Sequence, residues 1–409
     1  MSAPARAADL TLAQAEAMVA KANRDVQAAR RGIEAATAGI RQADVLPNPV
    51  VSYNTSGISN NPGIGPGSIT DKRMDNVFRI DQVIERGNKR ELRVEAAKGM
   101  QRVAVNDASD VLRQQMLATR NAYVDLQQAQ GKAEILAGTA DLFSKTYGAA
   151  QTRLKAGDLA SADVARVQVD YERAQNDLRV AQAELSRAQI ALAYLVADEA
   201  AAPGLRATDP WPAATVPDAT EMQRAIAQFV ESRPDVLSAK ARVEATEKQR
   251  DLARSQRTRD VTVGAQFERY PGTQPTNSIG FGVSVPLFIG NDFSGDIERA
   301  EVDHYAALDL LEKVRAIAAT DMTRAASDLR AAAERRVRYE GSLLSAAQRS
   351  ADAAEFAFQR GAISVLEVLD ARRTLRAVQL EALAARADYA KALHAWRSSL
   401  QGAAVPAAN

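Results

Sequence analysis

The sequence contains a long internal duplication. The segment Arg153–Val164 recurs as Ala357–Val368, a shift of 204 positions that aligns Gly157 with Gly361. In both copies this segment ends one long helical pattern and opens another. Repeats in solenoid proteins run about 20 to 50 residues. The much longer shift therefore predicts one large fold unit used twice.

A second pair of matching segments supports the same organisation. Asn23–Arg30 is echoed by Arg233–Lys240, a shift of 210 positions. The stretch Asp198–Ala219 lies between the copies and is rich in proline, so we expect a non-helical connector or a small packed belt there. We predict a first repeat over residues 8–200, a connector over 201–220 and a second repeat over 221–400.

Long helices are predicted in the two stretches without proline, residues 67–202 and 287–405. A proline inside a helix costs roughly 3 kcal/mol, so its absence permits long helices. Apolar and small residues recur there at heptad spacing, which is typical of antiparallel coiled coils. The helices that enter the glycine turns are predicted over about 91–154 and 297–358, each on the order of 90 Å long.

The residues after each glycine turn predict the start of another helix. Ser161 and Ser364 are the expected N-caps. Tyr171, Tyr389 and Trp396 occupy heptad positions, so we expect them in the helix-packing core. The chain has much alanine and few aromatic residues, and this composition favours helices packed side by side in a thin wall.

Before each long helix, apolar and polar residues alternate with period two, which predicts β-hairpins. The strand pairs fall within residues 48–84 and 260–288. Each strand is near the 9 to 11 residues that a tilted strand needs to cross a bilayer. Four strands cannot close a barrel, so strands in lipid would have to be pooled by several chains. The alternative is a soluble four-stranded sheet whose apolar face packs on the helices.

Composition excludes several kinds of site. With 52 basic and 51 acidic residues the formal charge is +1, so a dedicated nucleic-acid binder is not expected. The chain has no cysteine, and its two histidines, His304 and His394, lie in separate predicted helices, so we predict no metal centre. It shows no nucleophile elbow or phosphate loop, and we predict neither catalysis nor a cofactor. The small residues of Ser2–Ala7 are similar to the end of a trimmed export signal.

Over nearly its whole length, the sequence resembles the TolC family of outer-membrane efflux channels. The matching motifs are Leu10–Glu16, Leu46–Pro49, the Gly157 turn with Asp163, Arg233–Asp235 and Gly361–Asp370. Two further segments, Gln82–Arg90 and Val285–Asn291, are similar to the heavy-metal efflux subgroup, which exports cobalt, zinc, cadmium or nickel.

The resemblance implies a mostly α fold with a β-barrel part. Three chains would pool four strands each into a twelve-stranded barrel in the outer-membrane lipid of a Gram-negative bacterium, and their helices would form a periplasmic α-barrel. The partners implied are two further copies of the chain, a periplasmic adaptor (membrane fusion) protein and an inner-membrane pump of the resistance-nodulation-division type. The alternatives are an exit duct for drugs or other small molecules and, in another class, a soluble coiled-coil scaffold.

The resemblance also places a gate at the helical tips. By matching motif, Glu367, Asp370, Asp163 and Phe358 occupy gate positions. In a trimer, Glu367 and Asp370 would ring the entrance with carboxylates, which favours cations. Glu367 also fits a capping box with Ser364, and the two roles can coexist. The expected adaptor contacts are residues of the two turns: Gly157, Leu159, Ser161, Gly361, Ile363 and Ser364.

Overall fold

The structure is a computed structural model that describes residues 8–58, 60, 63–68, 71–270, 276–360 and 362–402. The suspected export-signal remnant and Gly361 therefore lie outside the described residues. The helices are α1 (Leu12–Ala22), α2 (Arg24–Ala43), α3 (Lys89–Ala156), α4 (Ser161–Leu195), α5 (Ala219–Phe229), α6 (Pro234–Ser255), α7 (Ser294–Arg338), α8 (Leu344–Gln359) and α9 (Val365–Ser399). The strands are β1 (Ala8–Leu10), β2 (Val50–Ser56), β3 (Asp75–Ile84), β4 (Leu205–Ala207), β5 (Val261–Tyr270) and β6 (Thr276–Ser284).

The fold is mostly helical with four long strands, as predicted. The chain divides into two compact units, and each unit takes segments from both halves of the sequence. Of the described residues, the first unit takes those within 8–31, 106–237 and 314–402, and the second unit takes those within 32–105 and 238–313. Among the described residues, no helix has an apolar stretch long enough to cross a bilayer.

The second predicted long helix is interrupted, in contrast to the first. A π-helical turn, Tyr339–Leu343, separates α7 from α8. Gly341 lies within it, and glycine is the weakest helix former after proline. The Glu340 carboxylate accepts hydrogen bonds from Arg336 (3.1 Å) and Arg386 (2.6 Å). The heptad pattern alone did not predict this turn.

The core of the first unit includes a strand pair that the sequence pattern did not predict. Strand β1 pairs in parallel with β4, which lies in the proline-rich connector. The Tyr123 hydroxyl of α3 donates to the Leu10 carbonyl oxygen (3.0 Å) and accepts the Thr208 N–H (3.0 Å). Tyr389 and Trp396 are buried in a separate cluster of this unit, which confirms their predicted core positions.

The second unit contains one antiparallel sheet in the order β2–β3–β5–β6. Pairing of β3 with β5 joins the hairpin of the first repeat to that of the second. Among the residues that the structure describes, β2 and β6 each pair on one side only, so both sheet edges are open within one chain. Aligned residues form rows across the four strands, and one such row is Val51, Ile80, Ala265 and Phe281.

The apolar face of this sheet is exposed. Val51 and Ile279 are each 72% exposed and Phe281 is 85% exposed. The opposite face carries charged and hydroxyl side chains together with three glycines, Gly264, Gly280 and Gly282. The alternative of a soluble sheet that buries its apolar face on the helices is therefore wrong for this chain.

Candidate functional site at the helical tips

The first tip is the turn between α3 and α4. Gly157 has φ = 84°, a left-handed conformation that favours glycine. Its N–H donates to the Leu154 carbonyl oxygen (3.0 Å), and the Asp158 N–H donates to that of Arg153 (2.9 Å). These two bonds form a Schellman motif, which satisfies the carbonyl groups at the end of α3.

The predicted N-cap of α4 was wrong by one residue. Ala160 is the N-cap, with extended backbone angles and no side-chain hydrogen bond, and Ser161 is the first helical residue. The chain enters the helix one residue early, because the Asp163 and Val164 N–H groups donate to the Ala160 carbonyl oxygen (3.1 and 3.3 Å). The Ser161 hydroxyl is therefore not in the position of a cap.

The second tip, between α8 and α9, repeats the first with one addition. The Ala362 N–H donates to the Ala357 carbonyl oxygen (2.9 Å), which is the Asp158–Arg153 bond of the first tip shifted by 204 positions. Ser364 is the N-cap of α9 as predicted. It forms a complete capping box with Glu367, in which the Ser364 N–H donates to the Glu367 carboxylate (2.8 Å) and the Glu367 N–H donates to the Ser364 hydroxyl oxygen (3.4 Å).

The four predicted gate residues lie in different surroundings. Glu367 is exposed and participates in the capping box. Asp370 is exposed one turn later and has no hydrogen-bond or ion-pair partner among the described residues. Asp163 is half-buried, and its carboxylate lies 3.9 Å from the Arg166 guanidinium. Because residue 166 aligns with residue 370 after a shift of 204, a base in the first copy occupies the position of an acid in the second.

Phe358 contacts the first tip. The Arg153 guanidinium from the last turn of α3 lies 5.7 Å from the centre of the Phe358 ring. Cation–π contacts of this kind contribute about 0.5–1 kcal/mol at exposed sites. Phe358 therefore joins the two tips through an aromatic–cation contact. Unlike a tyrosine at this position, it has no hydroxyl group with which to form a hydrogen bond.

Apolar packing beneath the tips also joins the two copies. Phe143 of α3 and Val167 of α4 are buried in one cluster with Leu369 of α9. Leu159 from the first turn and Leu366 from the start of α9 pack against this cluster. Of the predicted adaptor-contact residues, Leu159 and Ile363 are half-buried, whereas Ser161 and Ser364 are exposed.

A row of ion pairs near the tips was missed by the sequence analysis. Four acids of α4 occur at seven-residue intervals and so share one helix face: Asp163, Asp170, Asp177 and Glu184. Their partners, in the same order, are Arg166, Arg373, Arg376 and Lys132. Two of these partners belong to α9, so the row connects the first copy to the second. The seven-residue spacing of the acids was the signal in the sequence that could have identified it.

Neither histidine is a residue of the tips. His304 Nδ1 is 3.2 Å from the Thr246 hydroxyl oxygen. His394 is half-buried on α9, and burial, helped by the positive charge of Arg120 and Arg397, lowers its pKa to about 4. No group of three or more potential metal-ligating side chains is present among the residues that the structure describes.

Comparison with known proteins identifies the family. The model of the family described as outer membrane efflux protein matches residues 6–197 and 225–401. The chain is 24% identical over 294 residues to the cobalt-zinc-cadmium resistance protein CzcC of Cupriavidus metallidurans, over 71% of this chain and 69% of the relative.

Three solved structures share the fold at low sequence identity. The outer membrane protein VceC of Vibrio cholerae aligns with a TM-score of 0.76 at 18% identity, over 96% of each chain. The transmembrane channel CusC aligns with a TM-score of 0.74 at 17% identity, over 96% of this chain and 92% of that one. The CmeC outer membrane channel of Campylobacter jejuni aligns with a TM-score of 0.79 at 16% identity, over 97% of this chain and 87% of that one. The matched family model covers both halves of the sequence, and the chain belongs to the outer membrane efflux protein family.

Proposed function

We propose that this protein is the passive exit duct of a tripartite efflux system and that its cargo is divalent heavy-metal cations. In this proposal a homotrimer in the outer membrane receives substrate from an inner-membrane pump of the resistance-nodulation-division type through a periplasmic adaptor. The family assignment supports an outer-membrane efflux channel. The observation that carries the trimer is the four-stranded sheet with its exposed apolar face.

The sheet supports pooling of strands between copies. An exposed apolar face suits contact with lipid, and open strand edges in lipid would leave backbone N–H and C=O groups unsatisfied. Edge strands β2 and β6 of neighbouring copies could pair and remove both edges. Three copies would then close a barrel of twelve strands, with the polar, glycine-bearing face toward the lumen.

The second tip is the proposed gate. Asp370 is exposed and unpaired among the described residues, and Glu367 lies one turn before it. In a trimer these two positions contribute six carboxylates around one axis, which favours entry of cations. Asp163 contributes from the neighbouring first tip, and Phe358, at the end of α8, contacts that tip through Arg153. The turn residues Gly157, Leu159, Ser161, Gly361, Ile363 and Ser364 are the proposed contacts of the adaptor.

The heavy-metal assignment is supported by the similarity to the cobalt-zinc-cadmium resistance protein and by the gate acids. A passive duct does not need to chelate the metal during passage. Carboxylates that raise the local cation concentration are sufficient, because the pump supplies the energy and selects the substrate.

Metal tolerance of a deletion strain tests this proposal. Tolerance to cobalt, nickel, zinc and cadmium should fall on deletion and return with the wild-type gene. The variants Asp370→Ala and Asp370→Asn should restore tolerance only in part. Asp303→Asn, which changes an exposed acid of α7 outside the tips, should restore it fully. Unchanged metal tolerance of the deletion strain would refute the heavy-metal assignment, and recovery of the protein as a soluble monomer without detergent would refute the channel.

A further inference from the structure

The polar face of the sheet holds an arginine, Arg79, whose side chain is hydrogen-bonded to two neighbouring residues. Arg79 of β3 donates from Nε to both carboxylate oxygens of Asp81, at 2.9 and 2.7 Å. Its Nη1 donates to the amide oxygen of Gln266 on the neighbouring strand β5 (3.3 Å). Bonds to two partners fix the plane of the guanidinium, because its donors have a rigid geometry.

Glycine residues form the surface on which this ion pair lies. A Cβ atom at residue 264 would lie 2.2 Å from Asp81 Oδ1 and 2.9 Å from Arg79 Nη2. A Cβ at residue 282, on the next strand, would lie 3.5 Å from the same Nη2. The guanidinium therefore reaches across β5 toward β6 close to the bare backbone. Any side chain at residue 264 would have to displace the pair outward.

The remaining charges on this face are acidic. Within the four described strands of the sheet, the polar face carries three carboxylates, from Asp75, Asp81 and Glu268, and one guanidinium, from Arg79. The Glu268 carboxylate accepts hydrogen bonds from the Gln266 amide, the Tyr270 hydroxyl and the Ser278 hydroxyl. Because Asp81 neutralises Arg79, the face has a negative balance that favours cations.

We propose that Arg79 is a specificity-determining residue of the lumen, held flat on the Gly264–Gly282 surface by Asp81 so that the pore stays open and selective for cations. This inference rests on the proposed trimeric channel, in which the polar face lines the lumen. Flat and paired, the guanidinium contributes little field at the axis and occupies little of the cross-section. Released from Asp81 or lifted by a side chain at residue 264, three guanidinium groups would project into one pore, and rings of arginine favour anions.

Reversal potentials of the purified trimer in planar bilayers, measured in a KCl gradient, test this inference. Asp81→Asn should shift the reversal potential toward that of chloride, and Arg79→Gln should shift it toward that of potassium. The double variant restores the charge balance and should return close to the wild-type value. Glu221→Gln, which neutralises an exposed acid of α5 outside the sheet, is the control for charge alone and should give the wild-type reversal potential.

A glycine variant separates the position of Arg79 from its charge. Gly264→Ala leaves the net charge unchanged but displaces the pair, so it should lower the conductance and shift the reversal potential toward that of chloride. Gly32→Ala, in α2 where an added Cβ meets no atom within 4 Å, is the matched control and should change neither quantity. Wild-type reversal potentials in the Asp81 and Gly264 variants, in trimers that still conduct, would overturn this inference and leave the exit duct intact. A wild-type protein that forms no channel would overturn the proposed function, and this inference with it.

Discussion

Replacing Arg373 by alanine is expected to loosen the contact between the two helical hairpins near their tips. Asp170 of α4 is buried, with only 6% of its side chain exposed, and Arg373 of α9 forms an ion pair with its carboxylate. The alanine variant leaves this carboxylate inside the protein without its cation. Removal of one partner from a buried pair is costly, because the remaining charge stays desolvated and uncompensated.

The size of the destabilisation caused by Arg373→Ala follows from the burial of the two side chains. Breaking a fully buried ion pair costs about 3–5 kcal/mol. Arg373 is itself 47% exposed, so water can enter where its side chain was and compensate part of this cost. We therefore expect the free energy of local opening to fall by about 1–3 kcal/mol, which corresponds to amide exchange faster by about 5- to 150-fold.

Hydrogen exchange of the full-length protein in detergent measures this effect. The faster exchange should be confined to peptides from residues 161–177 and 365–376. Arg330→Ala is the matched control, because Arg330 and Glu334 form a pair on α7 in which both side chains are more than half exposed, and such pairs contribute about 0–1 kcal/mol. Adding Asp170→Asn to the Arg373 variant should recover part of the protection. Equal exchange in the Arg373 and Arg330 variants would refute the reasoning.

Three further predictions concern the turns and a half-buried histidine. Gly157→Ala should lower the melting temperature, because φ = 84° costs an L-residue about 1–2 kcal/mol. Gly148→Ala, inside α3 where an added Cβ meets no atom within 4 Å, should instead raise stability by up to about 1 kcal/mol. Equal shifts of the melting temperature in the two variants would contradict this prediction. Ser364→Ala should lower the free energy of unfolding by about 1 kcal/mol through the lost cap, whereas Ser161→Ala should leave it nearly unchanged. Chemical unfolding curves that rank the two variants in the opposite order would contradict the N-caps assigned to α4 and α9. Burial lowers the His394 pKa from 6.5 to about 4, so the stability that the neutral imidazole contributes is fully present above pH 6.5 and is lost as the pH falls toward 4. Between pH 7 and pH 4.5 the free energy of unfolding should fall by about 2 kcal/mol from this cause, a figure discounted for partial exposure. The fall between these two pH values should be smaller in His394→Gln than in the wild-type protein.

The tips show how far local sequence patterns could predict the candidate site. Gly157 and the capping box of Ser364 with Glu367 were predictable, because a helix end depends on a few consecutive residues. The partners of Asp170 and Asp177 were not, since Arg373 and Arg376 are about two hundred positions away and meet them only after both hairpins pack. The Ser161 cap was wrong because serine is preferred over alanine at an N-cap, whereas the backbone begins α4 and α9 at equivalent places, with Ala160 aligned with Ser364 after the shift of 204 positions.

The sequence by itself determined the internal duplication, the long helices, the four strands and the apolar and polar faces of those strands. Each of these follows from periods of two, three to four or seven residues, which are local properties of the chain. The tertiary structure decided the pairing of β3 with β5, the unexpected β1–β4 pair and the π-helical turn around Gly341. It also decided the placement of Arg79 over Gly264, because an alternating pattern identifies the face of a strand but not its neighbour. Contacts between distant segments depend on how the elements pack, and no short pattern in the sequence contains that information.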